Sequence, residues 1–458
     1  MALFACSLPF EAIGTFRILE LAGGHHPSGW AAALAAPALG TVAWRHRREL
    51  LGHPLLLAWA AFNLAKIAAA PFTAAPRLEL GSMLRYALSV LVVAGIASLA
   101  SHAPWRRVLL GCFVVGGLGA TAAALGGFAF MVASGRLHPG VQPFVYVGRH
   151  PLFDSWPRLA GTFGHSPQHM GEYLVVLLAL IACGAPRLAA PSSRRLRLLG
   201  AAAVGLALLL TFSFAWLGGL VVVVGCAALA RPRARSARAL AVALVLLALL
   251  ATTWAMNVGL PASAPGAGAE GFRPCSEVDV DHQVSYVTRD VPARCSPLYI
   301  SWPYAAPLTP YLDAKRRAIG QFLSHPWAGT GEGQYAAALR RSGEPNAAGL
   351  ERTDYDTPHC AYLEAFATSG TGAGLALLVL AGLVFCNGMR RATGAATSDP
   401  RWLGPWLGLV ALLCIGVNID LLAQRQLWFP LGLLCASGAG GLDAKLDAER
   451  VAPAGLTH

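Results

Sequence analysis

Long apolar stretches of about 17 to 25 residues recur along nearly the whole chain. Prolines and glycines fall largely at the ends of these stretches and in the polar segments between them. In lipid, a backbone must satisfy its hydrogen bonds within its own segment or in a closed barrel, and a barrel would show short alternating segments instead. The pattern therefore predicts an all-α integral membrane protein.

Counting the apolar stretches predicts about twelve transmembrane helices. The predicted spans are residues 3–21, 29–44, 54–72, 85–101, 107–133, 168–185, 197–213, 215–230, 239–258, 371–388, 402–422 and 426–442. This count requires residues 196–230 to form a tight hairpin of two helices that turns near residues 213–217, rather than one very long helix. A further helix is predicted outside the membrane at residues 311–324.

Two long polar segments, residues 134–166 and 259 to about 357, interrupt the apolar pattern. They divide the chain into residues 1–258 with helices one to nine, a loop subdomain at 259–357, residues 358–442 with helices ten to twelve, and a tail at 443–458. A loop as long as the second one is more often functional than idle. Its two cysteines, Cys275 and Cys295, form either a disulfide or two free thiols.

Composition and charge support this membrane assignment. Of the 458 residues, 55% are hydrophobic and 13% are charged, which excludes an ordinary soluble domain. The net charge of +12 does not indicate a nucleic-acid partner, because the basic residues lie in short loops between predicted helices. Lysine and arginine collect on the cytoplasmic side of membranes, and five basic loops share that side if the N-terminus is cytoplasmic. Both long polar segments then face outward.

Three polar motifs border the predicted helices. The first is Arg158 before Gly161-Thr162-Phe163-Gly164, and the second is His325-Pro326-Trp327-Ala328-Gly329-Thr330-Gly331. The third is the stretch at 357–364 around His359, which a glycine-rich helix start at 369–374 follows. In this order and spacing, over about residues 155–435, the motifs resemble the O-antigen ligase and O-antigen polymerase (Wzy-type) family of bacterial membrane glycosyltransferases.

The chain departs from that family's pattern at three motif positions. The asparagine expected after Gly161-Thr162-Phe163-Gly164 is replaced in the region 165–169, with an apparent insertion of one residue. Cys360 follows His359 where the family usually has asparagine. Ser213-Phe214 stands near the seventh helix, where the family often has a Ser-Arg pair. These departures leave the predicted class unchanged but weaken any prediction of the particular substrate.

The resemblance implies transfer of a glycan from an undecaprenyl-pyrophosphate carrier to an acceptor sugar, with inversion at the anomeric carbon. It implies a multi-pass protein of the bacterial inner membrane whose active site faces the periplasm, with no metal, nucleotide or other cofactor at the site. The acceptor is the lipid A core for a ligase and a carrier-linked glycan for a polymerase. The length of the second outward loop favours the ligase.

The chemistry that the resemblance implies is physically reasonable for these residues. A sugar hydroxyl is a poor nucleophile, so the neutral imidazole of His359 would remove its proton as general base. The departing pyrophosphate gains negative charge, which guanidinium groups bind in bidentate fashion. The candidate substrate-binding residues are Arg158, Arg316, Arg317 and Arg425, with Asp354 and Asp356 as carboxylates that orient His359 or bind a sugar.

Simpler interpretations stay open for these residues. His359 could be an interfacial helix cap, Arg158 a membrane anchor, and Arg316 with Arg317 a solvated helix face. His165 and His169 have zinc-ligand spacing, but no third ligand is evident. The Gly329-Thr330-Gly331 turn superficially resembles a dinucleotide-binding loop, but no strand precedes it. We therefore interpret it as a turn that lets a backbone approach the substrate.

A secondary transporter is the rival prediction from another functional class, because about twelve helices would suit it equally well. Transporters usually carry ionisable residues near the membrane midplane. Here Glu20, Lys66 and Asp420 lie near the estimated ends of spans, and the polar motifs cluster outside them. The sequence therefore favours the glycosyltransferase.

Overall fold

The computed structural model describes most of the helical part of the chain. It covers residues 1–10, 27–73, 80–134, 140–142, 144–150, 153–163, 166–184, 194–211, 213, 215–229, 308–332, 334–335, 338, 358–393, 400–418 and 425–436. The predicted span at 239–258, most of the span at 3–21, and both Cys275 and Cys295 lie outside these residues.

Helices make up most of the described chain. They are α1 Ala2–Ser7, α2 Pro27–Arg45, α3 Arg47–Leu51, α4 Pro54–Ala69, α5 Leu80–Ala100, α6 Ala103–Ala133, α7 Pro167–Ala182, α8 Arg194–Leu210, α9 Ala215–Leu229, α10 Leu308–Ser324, α11 Ala361–Thr393, α12 Pro400–Ile415 and α13 Trp428–Ala436. Short 3-10 turns lie at Leu8–Phe10, Ala70–Phe72 and Arg425–Leu427. Helices α4 and α7 each begin with a proline, which costs no hydrogen bond in a first turn.

The structure confirms a predominantly helical membrane protein. Among the described residues, four segments are long and apolar enough to cross a bilayer: Pro54–Phe72, Met83–Ala100, Ala103–Ala133 and Ala361–Arg391. Three further helices are also apolar but shorter: Pro167–Ala182, Ala215–Cys226 and Trp402–Ile415. The structure therefore supports membrane-spanning helices, whereas their number, about twelve, stays a prediction.

The stretch at residues 196–230 is two helices, as predicted. Helix α8 ends at Leu210 and α9 begins at Ala215. The Thr211 hydroxyl donates to the Leu208 carbonyl and lies 2.8 Å from the Ser213 hydroxyl. Hydroxyl groups that bond the nearby backbone compete with regular helix geometry, which explains the turn at this point. The predicted helix at 311–324 is also confirmed, as α10.

The first long polar segment, residues 134–166, contains strands, which the all-α prediction missed. Strands β1 Gly140–Gln142, β2 Phe144–His150 and β3 Phe153–Gly161 form an antiparallel sheet in the order β1-β2-β3. Tyr146 pairs with Arg158 across β2 and β3. Aromatic and β-branched side chains favour a pleated surface, and Val145 and Leu159 are buried under this sheet. Strand preference therefore overrides the polar appearance of the segment.

Helix α7 lies at the centre of the bundle. Its residues 170–181 are all buried, and it packs against α8, α9 and α12. A helix that is apolar on every side belongs in such an interior position. On other helices, Leu64, Val115 and Val379 are exposed in the protein alone. Large apolar side chains on the outside of a bundle are suited to lipid contact.

The two ends of the bundle differ in charge and structure. At one end, the His46 ring contacts the His102 ring at 5.9 Å, and burial together with the nearby Arg391 guanidinium lowers the pKa of His53. The sheet, α10 and the start of α11 belong to the opposite end. The basic residues of three predicted loops thus gather at one end, as the side-of-membrane argument requires.

Candidate functional site

His359 lies directly before the long helix α11, in a strained backbone conformation. Its φ angle is 47°, in the left-handed region that residues other than glycine rarely adopt. The next residues are held firmly: the Ala361 amide donates to the Gly416 carbonyl at 2.8 Å, and the Tyr362 hydroxyl donates to the Leu413 carbonyl at 2.8 Å. The end of α12 therefore fixes the position from which His359 projects. Such strain is typical of functional sites.

Lys315 brings a cation to this stretch, and the sequence analysis missed it. Its ammonium Nζ donates to the Asn418 side-chain oxygen at 2.6 Å, just after α12. Burial lowers the pKa of Lys315, and its nearness to Cys360 partly opposes that effect. Cys360 is the residue that follows His359. Lys315 is therefore within electrostatic range of the residue that follows the candidate base.

The neighbouring predicted arginines on α10 take different positions. Arg316 is exposed and Arg317 is buried, whereas Lys315 is half-buried at the border between the two faces. The burial of Ala314 and Ala318 defines the packed face. The helical spacing of these small residues is the signal that could have placed Lys315 at the border of that face.

The second motif packs on a break in α11. The Thr330 and Gly331 amides donate to the Ala367 and Thr368 carbonyls at 2.9 and 3.0 Å. In return, the Thr371 amide donates to the Pro326 carbonyl at 2.7 Å. These bonds satisfy backbone groups that the non-helical geometry at Gly370 leaves without partners inside the helix.

Glycine is required on both sides of this contact. A Cβ on Gly329 would lie 2.3 Å from the Thr368 carbonyl carbon, and one on Gly370 would lie 2.1 Å from the Trp327 oxygen. We predicted that the glycine turn lets a backbone approach the substrate. The structure shows instead that the turn lies against the backbone of α11. Glycine on both sides lets the two chain segments meet without side chains between them.

A buried ion pair holds the same turn to α4. The Lys66 ammonium lies 2.8 Å from a Glu332 carboxylate oxygen and 4.5 Å from the centre of the Tyr86 ring. The Lys66 side chain is almost fully buried, so these partners take the place of water around its ammonium group. Gly331 lies beside Thr73, at the end of the same α4 segment. The turn is therefore anchored to two membrane-length helices.

Arg158 lies on β3 and reaches the turn between α8 and α9. Its Nε donates to the Thr211 carbonyl at 3.1 Å, and its guanidinium lies 5.9 Å from the centre of the Tyr146 ring. The side chain is half-buried. The Arg158 guanidinium thus lies near Ser213. In the family that the chain resembles, an arginine often follows the serine at this position, whereas this chain has Phe214 there.

Arg425 lies next to another buried polar pair that sequence reasoning missed. Gln426 donates from Nε2 to a carboxylate oxygen of Glu172 at 2.8 Å, and both side chains are fully buried. Glu172 belongs to the start of α7, whose Gly171 lies against Ser213. Arg158 and Arg425 therefore border elements that pack at the same end of the bundle.

Three other residues named from the sequence fall outside the part of the chain that the structure describes. They are Asp354, Asp356 and His165. Within the described ranges, no group of three or more histidine, cysteine, aspartate or glutamate side chains is arranged to hold a metal ion.

The described site residues form two groups at one end of the bundle. One group lies at the start of α11, where His359 precedes Cys360 and Lys315 bonds Asn418. The other contains Arg158, which bonds the Thr211 carbonyl, and Arg425, which precedes the residue bonded to Glu172. Asn418 and Arg425 belong to the single connection between α12 and α13, so that connection borders both groups. Such an arrangement offers a candidate base and several cations for an anionic leaving group. No protein-family model and no curated protein matches the chain, so its similarity to O-antigen ligases and polymerases stays a prediction from its motifs.

Proposed function

We propose that this protein is a membrane glycosyltransferase that transfers a glycan from undecaprenyl pyrophosphate to an acceptor sugar. The observation that carries the proposal is the position of His359. It combines left-handed backbone geometry, an attachment of the next residues to the end of α12 and a cation within electrostatic range of Cys360, at the start of a membrane-length helix. An imidazole at that place can meet both a lipid-borne donor and a water-soluble hydroxyl.

The proposed reaction is a single displacement. The acceptor hydroxyl loses its proton to the neutral imidazole of His359 as its oxygen bonds to the anomeric carbon. The bond from that carbon to the pyrophosphate oxygen breaks, and the carrier pyrophosphate leaves with the electron pair. Attack from the opposite side inverts the anomeric configuration. The neutral imidazole is the form that can accept this proton.

Arg158 and Arg425 are proposed to bind the pyrophosphate, and Arg316 and Arg317 are secondary candidates. The Arg158 Nε donates to the Thr211 carbonyl, so its two terminal nitrogens can donate to the pyrophosphate in a bidentate contact. The buried position of Arg317 favours a packing role, and the exposure of Arg316 favours a role at the rim. Asp354 and Asp356 stay predicted contributors.

The acceptor separates two versions of the same chemistry. A ligase would use the lipid A core, and a polymerase would use a second carrier-linked glycan. We propose the ligase first, because the second long polar segment is long. We also propose about twelve spans and a location in the bacterial inner membrane. The site is proposed to face the periplasm, because the polar motifs share the end opposite the basic loops.

One observation favours the alternative of a secondary transporter. Lys66 is buried within a candidate membrane span, and such residues often mark transport pathways. Its pairing with Glu332 of the docked turn offers a structural reason for its presence instead. Uptake of labelled substrate by reconstituted protein, unaffected by His359→Ala, would favour the transporter.

The decisive test is a transfer assay with purified protein, lipid-linked donor and candidate acceptors. We expect His359→Ala to lower transfer by at least about 100-fold, the scale of general-base catalysis, while protein level and membrane insertion stay normal. His46→Ala, at the opposite end of the bundle, is the matched control and should transfer normally. EDTA should leave the wild-type rate unchanged. Full activity of His359→Ala, or loss of transfer with EDTA, would rule out this mechanism.

A further inference from the structure

Helix α10 exposes an apolar row on one side. Ile319 and Leu323 are 47% and 70% exposed and lie one helical turn apart. Trp327, four residues further and just past the helix end, is 83% exposed. The packed side of α10 contains Ala318, and the Tyr335 hydroxyl bonds the Ala314 carbonyl there. The row therefore points away from the described part of the bundle.

Contacts of the neighbouring turn place this row at the edge of the membrane. The Pro326 carbonyl, directly before Trp327, is bonded by Thr371 of α11. Gly331 of the same turn lies beside Thr73, the residue after the candidate span Pro54–Phe72. Tryptophan is enriched at this depth, where a bilayer meets water. The apolar row is thus within reach of lipid chains.

Lys315 lies one turn before Ile319, at the end of the row. Its ammonium has three N–H donors, and within the described residues it makes one hydrogen bond, to Asn418. Among the residues that the structure describes, nothing occupies its other two donors. Burial lowers the pKa of Lys315, so a bound anion would offset part of the cost of holding a charge there.

We propose that this edge of α10 binds the lipid diphosphate itself: Lys315 binds the diphosphate oxygens, Asn418 positions the ammonium, and Ile319, Leu323 and Trp327 contact the first isoprenoid units. The inference rests on the proposed function and adds Lys315 and the apolar row to Arg158 and Arg425 as residues that bind its donor. An ammonium at the end of an exposed apolar row fits a ligand with an anionic head joined to an apolar tail. A free diphosphate would use the cations without the row, and bulk lipid would use only the row.

Binding to the purified full-length protein in detergent tests the proposal with three probes: geranylgeranyl diphosphate, inorganic pyrophosphate and geranylgeraniol. Lys315→Met is expected to weaken geranylgeranyl diphosphate binding by about tenfold, a loss of ~1.4 kcal/mol. Lys315→Arg should restore most of the affinity, because it keeps the charge. Asn418→Ala should weaken binding less than Lys315→Met. Arg48→Met, an exposed cation at the opposite end, should bind like the wild type.

The apolar row is tested by the double variant Leu323→Ser with Trp327→Ser. It should bind geranylgeranyl diphosphate less tightly but inorganic pyrophosphate as well as the wild type does. Normal binding of geranylgeranyl diphosphate by Lys315→Met would overturn the proposal. Equal wild-type affinity for geranylgeraniol would also overturn it, by showing that the row contacts lipid without regard to the head group.

Two combinations separate this inference from the proposed function. If Lys315→Met binds donor normally while His359→Ala abolishes transfer, the donor site is wrong and the glycosyltransferase stands. If Lys315→Met loses donor binding while His359→Ala transfers normally, the lipid diphosphate site stands and the proposed mechanism is wrong. If Lys315→Met does not fold, the comparison of Lys315→Arg and Asn418→Ala with the wild type carries the test.

Discussion

Gly370 interrupts α11 at the point where the His325–Gly331 turn packs against it. Its φ of 77° and the nearby Trp327 oxygen leave no room for a side chain. The sequence indicates that glycines gather here, but not what they meet. The contact partners lie about forty residues apart in the chain, so only the folded chain brings the two glycine motifs together.

Gly370→Ala should lower stability by about 1–3 kcal/mol, because it combines backbone strain with overlap against Trp327. The measurement is the thermal unfolding midpoint of the protein in detergent. Gly382→Ala is the matched control on the same helix, since a Cβ there meets nothing within 4 Å. That control should be neutral or stabilise by up to about 1 kcal/mol. Equal effects of the two variants would show that the docked turn does not constrain α11.

His359 itself was predictable, because a motif places it before a helix. Lys315 was not, although it belongs to a run of three consecutive basic residues. Local sequence shows the charges of Lys315, Arg316 and Arg317, whereas the rotation of α10 against α11 decides which of them faces Asn418. A rotation of one residue, about 100°, would exchange their roles.

At the scale of elements, α4, α10 and α11 are joined by the turn that contains Glu332. Lys66 is buried and Glu332 is 27% exposed. Removing the carboxylate therefore leaves a buried ammonium without its anion, whereas removing the ammonium leaves a carboxylate that water can reach. The two single substitutions should differ for this reason.

Glu332→Gln should destabilise the protein by about 3 kcal/mol, and Lys66→Met by less. The double variant should be less destabilised than the sum of the two single variants, because each single change breaks the same pair. Unfolding midpoints of the four proteins, compared as a cycle, measure this coupling. Strict additivity would contradict an energetic link between α4 and the turn.

The sheet at residues 140–161 shows where element prediction fails. Apolar runs predicted the helices because their length and composition are local properties. The strands are short, lie in a segment that reads as polar, and depend on pairing between β2 and β3 and on packing against α6. Their stability comes from neighbours, so no local pattern marks them strongly.

At the scale of the whole molecule, the two ends of the bundle should lie on opposite sides of the membrane. The basic end, with Glu49 beside His46, is predicted to be cytoplasmic. The end that contains α10 is predicted to face outward. This orientation underlies both proposals, because the donor and acceptor are expected at the outer face.

In right-side-out spheroplasts, a membrane-impermeant maleimide should label Ser324→Cys at once and Glu49→Cys only after permeabilisation. Both positions are exposed. Because Cys386 is exposed and Cys275 and Cys295 lie in the predicted outward loop, both variants are made with alanine at these three positions to remove their background. The reverse labelling pattern would invert the predicted orientation and place His359 in the cytoplasm.

The sequence alone determined the membrane class, most of the described helix bounds and the break between α8 and α9. Apolar length, proline position and hydroxyl-rich turns act within a few residues, so each can be interpreted locally. The tertiary structure decided the pairing of Lys66 with Glu332, the docking of the glycine turn on α11, and the choice of Lys315 as the α10 cation that bonds Asn418. These depend on the rotation and depth at which distant segments pack, which no local period encodes.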